Sequence, residues 1–255
     1  MISVVINTYN AEKHLARVLE AVKGFDEVLV CDMQSTDSTL AIARQYGCKV
    51  ASFPRGTYNI VEPARQYAID QASGDWILVV DADEIVPTAL RDYLYSVTAQ
   101  SNCPDGLYIP RKNYFMGRFM RCHYPDYILR FFRKAKTTWP PIIHAQPSVD
   151  GHVARIPQRR HDLAFDHLAN DTVYERIAKT NTYTDNELAK KAHKHYGPLA
   201  FIYRPLHRFL KAYILKGGFR DGIPGFIKAS LEGYYQFVML AKLYEKHLPA
   251  GSIQH

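Results

Sequence analysis

Along the first hundred residues, short β-rich apolar runs alternate with segments whose apolar positions recur every three or four residues. Ile2 to Ile6 reads as a strand. Leu15, Val18, Leu19 and Val22 then fall at helical spacing, which predicts a helix over Glu12 to Lys23 that lays one apolar stripe on a sheet and ends at Gly24. Glu27 to Cys31 is a second strand, Asp37 can cap a helix running to about Tyr46, and Lys49 to Phe53 makes a third strand. Pro63 suits the first turn of a helix that ends near Gly74. Trp76 to Val80 is the fourth strand and runs straight into Asp81-Ala82-Asp83-Glu84, after which Pro87 opens a helix whose Leu90, Leu94 and Val97 share a face. This alternation predicts an α/β fold, a mostly parallel sheet with helices on its faces.

Beyond Cys103 the rhythm gives way to aromatic, Pro-containing segments, with strands expected around Leu107 to Arg111 and Tyr127 to Arg133. From Asp171 the pattern turns helical again, and Thr172 with Glu175 forms a capping box. The last stretch interleaves Phe201, Tyr203, Phe209, Tyr213, Phe219 and Phe226 with Arg204, Arg208, Lys211, Lys216, Arg220 and Lys228. The organisation expected is a catalytic domain over 1–170, with a donor half to about 100 and an acceptor half from about 101, followed by a helical, basic and aromatic extension over 171–255.

Composition narrows the class. The 255 residues are 47% hydrophobic, enough for one large core and a helical appendage, and nothing in them is of disordered type. A net charge of +7 favours an anionic partner without saying which one. Cys31, Cys48, Cys103 and Cys122 lack the spacing of a zinc site or a disulfide scaffold and read as reduced, structural residues. The first residues enter a strand with no export signal, and no apolar run approaches the roughly 20 residues that span a bilayer. The expected setting is cytosolic, with any membrane contact peripheral.

In an open α/β sheet, ligands bind beyond the carboxyl ends of the strands. Three polar clusters lie there: Asn7-Thr8-Tyr9-Asn10, Asp32 with Ser35-Thr36-Asp37, and Asp81-Ala82-Asp83. Two carboxylates one residue apart at a strand end can present oxygens to a hard cation that also holds a diphosphate. Asp83 is the expected direct ligand for Mg²⁺ or Mn²⁺, with Asp81 nearer the ribose or the metal's waters. The bland alternative is that these acids end a strand and cap the following helix. Thr8, Tyr9 and Asn10 could bracket a base and ribose, and Asp32 could accept a hydrogen bond from the base; helix capping is the alternative for Asp32 and the favoured reading of Ser35-Thr36-Asp37. No GxGxxG and no GxxxxGK[ST] is present, so metal and side chains must neutralise a diphosphate.

These segments resemble the family-two inverting glycosyltransferases of GT-A fold. Ser3 to Asn10 resembles their opening strand and nucleotide loop, with Asn7 where Pro is usual, and Val30 to Thr39 resembles their second strand and turn, with Met33-Gln34 as a departure. Ala72 to Glu84 matches most closely. Over most of its length the chain is similar to bacterial lipopolysaccharide-core glycosyltransferases, through Asn113 to Arg118, Tyr124 to Arg133, Ile143-His144 and Tyr213 to Gly222. His144-Ala145 stands where that group commonly has His-Glu, so no role for that acid carries over.

The resemblance implies transfer of a sugar from a nucleotide-sugar donor, UDP-linked, to a glycan or glycolipid acceptor, with a divalent metal as cofactor and no nucleic-acid partner. Asp126 takes the place of the family's general base, or is a turn residue after Pro125. Arg130 is spaced to reach phosphate or Asp126 itself, or is solvated surface. His144, His161 and His167 could complete a metal shell or orient an acceptor, with His144 the first choice as ligand; Arg159 and Arg160 could meet an anion. The basic aromatic stretch over 200–230 suits peripheral contact with anionic headgroups, or core packing with a solvated basic face. A sugar nucleotidyltransferase, or a non-catalytic basic module binding nucleic acid or membrane, are the competing readings.

Overall fold

Seven consecutive buried residues, Ile2–Thr8, form the first strand, β1, and everything in the N-terminal unit is arranged around it. The computed structural model describes residues 1–56, 61–141 and 146–248. β1 runs parallel to β2 (Glu27–Asp32) on one side and to β4 (Trp76–Asp81) on the other, and β3 (Lys49–Ser52) extends the parallel set beyond β2. Burial on both faces explains why β1, β2 and β4 are largely apolar rather than alternating, while β3, at the edge, is mostly exposed.

The helices follow from the apolar spacing. One face of the sheet, with Val4 and Ile6, packs on Leu15, Val18 and Leu19 of α1 (Glu12–Ala21) and on Leu90 and Leu94 of α4 (Thr88–Thr98). The other face, with Val5, Leu29, Ile77 and Val79, packs on Ala64, Ala68 and Ile69 of α3 (Glu62–Gln71). Helix α2 (Thr39–Gln45) starts after Asp37, whose Oδ1 accepts the Thr39 N–H at 3.0 Å. Before β4 the chain passes within hydrogen-bonding distance of β1: Gly74 N donates to Ser3 Oγ at 2.8 Å, and a Cβ on Gly74 would lie 2.9 Å from the Met1 carbonyl, so this crossing requires glycine.

Beyond β4 the sheet becomes mixed. The order is β3-β2-β1-β4-β8-β6-β12-β5, where β5 is Glu84–Ile85, β6 is Gly106–Phe115, β8 is Asp126–Arg133 and β12 is Phe165–Asp171. β8 is antiparallel to both β4 and β6, and β12 is antiparallel to β5. A short strand β11 (Val153–Arg155) pairs with β6 in parallel, and β9 (Thr137–Thr138) with β10 (Ser148–Val149) makes a separate ribbon. Trp76 and Phe131 stack at 4.9 Å between ring centroids, tying β4 to β8 inside the core.

The chain divides into two compact units, residues 1–112 with 124–169, and residues 113–123 with 170–255. In the second, the end of β6 turns back through Met116-Gly117, both at positive φ, into β7 (Arg118–Phe119), the geometry of a two-residue hairpin. Helix α5 (Val173–Lys191) begins with the predicted capping box of Thr172 and Glu175. Helices α6 (Ala200–Leu210) and α7 (Gly222–Lys246) approach closely at Gly233, where a Cβ would stand 3.0 Å from the Pro205 carbonyl. The buried Asp221 carboxylate accepts the backbone N–H groups of Arg121 and Cys122 at 3.0 and 3.1 Å, binding the 113–123 segment to the helices. Among the described residues no helix is long and apolar enough to cross a membrane. The four cysteines are free.

Candidate active site

Strand register brings the polar clusters to one edge, since Thr8 lies beside Asp32 and Asn7 beside Asp81. The loops after β1 and β2 are woven together. Asp32 is 1% exposed; its Oδ1 accepts the Thr8 and Ser35 hydroxyls at 3.0 and 2.5 Å, and its Oδ2 accepts the Ser35 N–H at 2.9 Å. Asn10 N donates to Ser35 Oγ and Asn10 Oδ1 accepts the Thr36 N–H, each at 2.9 Å. Ser35, Thr36 and Asp37 therefore have turn and capping work, as their composition suggests, and Asp32 braces this turn from below. Tyr9 is half-buried against the core on the α3 face of the sheet, with the Arg55 guanidinium 3.7 Å from its ring centroid.

At the end of β4, Asp81 is clamped. Its Oδ1 accepts Arg65 Nη2 of α3 and its Oδ2 accepts Arg130 Nη2 of β8, each at 2.7 Å. Burial works against the charged carboxyl, yet the two guanidinium groups hold it well below the usual carboxylate range. Both arginines lie over the Trp139 ring, at 4.9 and 5.4 Å. The cluster carries two fixed positive charges against one negative. Arg65 Nε and Nη1, Arg130 Nε, Trp139 Nε1 and the Asn7 amide are buried without a hydrogen-bond partner among the described residues, so the edge has an excess of donors.

Asp83 differs from Asp81 two residues away. Its side chain is 36% exposed, and its Oδ2 stands 3.2 Å from His167 Nε2 on β12. The pairing is held by the backbone, since His167 sits opposite Glu84 in the β12–β5 ladder and Leu168 N donates to the Asp83 carbonyl at 2.7 Å.

A second carboxylate–guanidinium group lies alongside. Arg111 of β6 donates to Glu84 Oε1 from Nη1 at 3.0 Å and to Asp126 Oδ2 from Nη2 at 2.7 Å. Glu84 is fully buried and also accepts the Asp81 N–H at 3.0 Å; burial and the charge of Asp81 push its pKa up. Opposed carboxylates push the Arg111 pKa up in spite of its burial.

The structure thus gathers Thr8, Tyr9, Asn10, Asp32, Asp81, Asp83, Asp126 and Arg130 in the N-terminal unit. Arg130 meets Asp81, and Asp126 is paired with Arg111 instead. His144 lies outside the described residues. His161 stacks on Tyr124 at 4.5 Å, and Arg160 pairs with Asp162 at the surface. Arg65, Arg111, Glu84 and Trp139 were not apparent as site residues from the sequence. A cation at the start of a helix looks like any solvated one, and only an unbalanced pair of acids after β4 hinted that cations must converge there.

Glycosyl transferase family 2 matches residues 3–147. The lipopolysaccharide core biosynthesis glycosyltransferase LpsC of Rhizobium meliloti is 28% identical over 260 residues, covering 96% of this chain and 93% of its own. An uncharacterized glycosyltransferase of Rickettsia conorii is 27% identical over 270 residues, covering 99% and 93%. Among solved structures, the mannosyltransferase PcManGT from Pyrobaculum calidifontis, in complex with GDP-Man and Mn²⁺, shares the fold with a TM-score of 0.55 at 16% identity over 97% of this chain and 88% of its own. The chain accordingly has the GT-A glycosyltransferase architecture expected from its sequence, and it belongs to glycosyl transferase family 2.

Proposed function

We propose that this glycosyltransferase moves a sugar, with inversion, from a UDP-linked donor to a hydroxyl of a lipopolysaccharide core or another surface glycan. The observation that carries the reading is the contrast at the end of β4, where Asp81 is fully engaged by Arg65 and Arg130 while Asp83 stays accessible beside His167. In this reading residues 1–100 hold the donor and 101–170 the acceptor. Thr8, Tyr9 and Asn10 bracket base and ribose, and Asp32 acts through the Thr8 and Ser35 hydroxyls that it fixes. Arg65 and Arg130 add positive potential where a diphosphate would lie.

The donor set also fits a divalent cation. Asp83 and His167 offer an oxygen and an imidazole nitrogen within 3.2 Å of each other, and no cluster of three candidate ligands occurs among the described residues. Such a pair would hold Mg²⁺ or Mn²⁺ only with phosphate oxygens and water completing the shell, the arrangement usual for nucleotide-bound cations. When bound, the cation would supply charge neutralisation for the departing diphosphate. Asp126 is the base in this reading. Arg111 holds this carboxylate by two N–H donors, at 2.9 and 2.7 Å, and in this reading it takes up the acceptor's hydroxyl proton.

A panel of nucleotide sugars with and without Mg²⁺ or Mn²⁺, read by thermal shift and by donor hydrolysis, tests the proposal. One donor is expected to raise the melting temperature only with metal, and Asp83→Asn to remove that increment. If no donor shifts the protein under any metal, the reading fails. Asp126→Asn is expected to keep the shift and to slow transfer by about 10²- to 10⁴-fold; unchanged transfer would remove Asp126 as base.

A further inference from the structure

We propose that helix α6 and the turn after it form an interfacial surface that rests on a membrane bearing anionic headgroups. Leu199, Ile202, Tyr203, Leu206 and Leu210 follow one another at helical spacing, and all are exposed, Leu199 at 76%, Ile202 at 68% and Leu206 at 52%. A helix stripe of this composition ordinarily faces a core. Here the core-facing side is a different one. Phe201 packs on Phe237 of α7 and Phe209 on Phe226, while the Pro205 carbonyl approaches Gly233, so the exposed stripe is additional to the face that α7 already covers. The stripe continues past the helix in Ile214, Leu215 and Phe219, and Ile223 at the start of α7 is also exposed.

Charge complementarity identifies the occupant. From Tyr196 to Lys216 the sequence contains no Asp or Glu, and its polar flank is Arg204, His207, Arg208 and Lys211, of which Arg208 also pairs with Glu232 of α7 at 3.5 Å. A groove of ≈ 510 Å³ runs along that flank, lined by those four residues with Tyr203 and Gln236, and no carboxylate lines it. An exposed apolar ridge with one basic flank is what an in-plane helix needs, apolar side chains reaching the acyl boundary while the cations meet lipid phosphates. A second copy of the chain is a poorer fit, because an antiparallel two-fold contact through this ridge would bring two basic flanks together. With no described helix able to span a bilayer, this surface would lie on the membrane rather than cross it.

Flotation of the full chain with phosphatidylcholine vesicles, with and without about 30% phosphatidylglycerol, tests the proposal without requiring turnover, so its outcome is separable from that of the donor panel. The chain is expected to float with the anionic vesicles, several-fold less when salt rises from about 0.1 to about 0.5 M. Ile202→Asp/Leu206→Asp should reduce binding more than about tenfold with the melting temperature little changed, both side chains being exposed. Lys211→Glu/Lys216→Glu, which reverses charge and leaves the apolar ridge in place, should remove the preference for anionic lipid. Absence of binding to either vesicle, anionic binding that survives the Ile202→Asp/Leu206→Asp change, or a concentration-dependent dimer that this double change dissolves in place of lipid binding, would each overturn it.

Discussion

In the N-terminal unit Val4, Val5 and Ile6 are sealed inside the sheet and the charges collect at the carboxyl ends of β1, β2 and β4 and toward the amino end of the antiparallel β8. In the second unit apolar side chains of α6 lie outside, and polar groups such as Asp221 and His123 are inside or nearly so. The difference is one of partners. A strand-edge site for a polar ligand needs charges fixed by neighbouring strands against a rigid core, and it leaves little apolar surface over. A surface that meets an apolar or amphipathic partner needs the reverse, with packing supplied by one helix face and recognition by another.

The largest effect should come from undoing the Asp81 clamp. Asp81→Asn removes the carboxylate that accepts from two buried guanidinium groups, and a stability loss of roughly 3–5 kcal/mol is expected, with donor binding lost as well. Asp83→Asn, two residues on, should leave stability within about 1 kcal/mol. Denaturant unfolding of the two variants measures this; equal losses would mean that the two acids share one structural role.

A smaller effect distinguishes the second unit. Its His123 is pulled from an ordinary 6.5 to about 4 by burial and by the Lys228 charge, and its Nε2 has no hydrogen-bond partner among the described residues. A folded pKa below the unfolded one means that the unfolded chain takes up the proton first. This contribution is therefore complete above pH 6.5 and is lost as pH falls toward 4, by roughly 1–3 kcal/mol. His123→Phe should flatten the stability profile across that window; an unaltered profile would show that His123 does not titrate as described. The smallest expected change is Thr172→Ala, which removes the α5 capping box at a cost of about 1 kcal/mol and should speed amide exchange in the first turn of α5 alone.

Much of the first hundred residues was legible because the signals there are local. β1 and β4 are predominantly apolar, buried runs, α1 and α4 carry their stripes at the predicted positions, and Asp81-Ala82-Asp83 falls at a strand end. The polar arrangement was less accessible. Arg130 was aimed at phosphate or Asp126 and meets Asp81, because β8 enters the sheet next to β4, and Arg111 takes Asp126 because β6 is its other neighbour. His167 was one of three histidines with no feature to rank it first, and it reaches Asp83 through a strand pairing that spans 84 residues of chain.

By itself, then, the sequence determined the family, the strand and helix segments, and the polar residues at the strand ends, since these follow from side-chain periodicity and short motifs within a few residues of one another. Only the tertiary structure decided which cation answers which carboxylate, that both Asp81 oxygens are taken by arginines while Asp83 meets a histidine, and which stripe of α6 faces away from α7. Those depend on strand order, register and helix packing, where a neighbour in space is distant in the chain and one step of register turns a side chain to the opposite face.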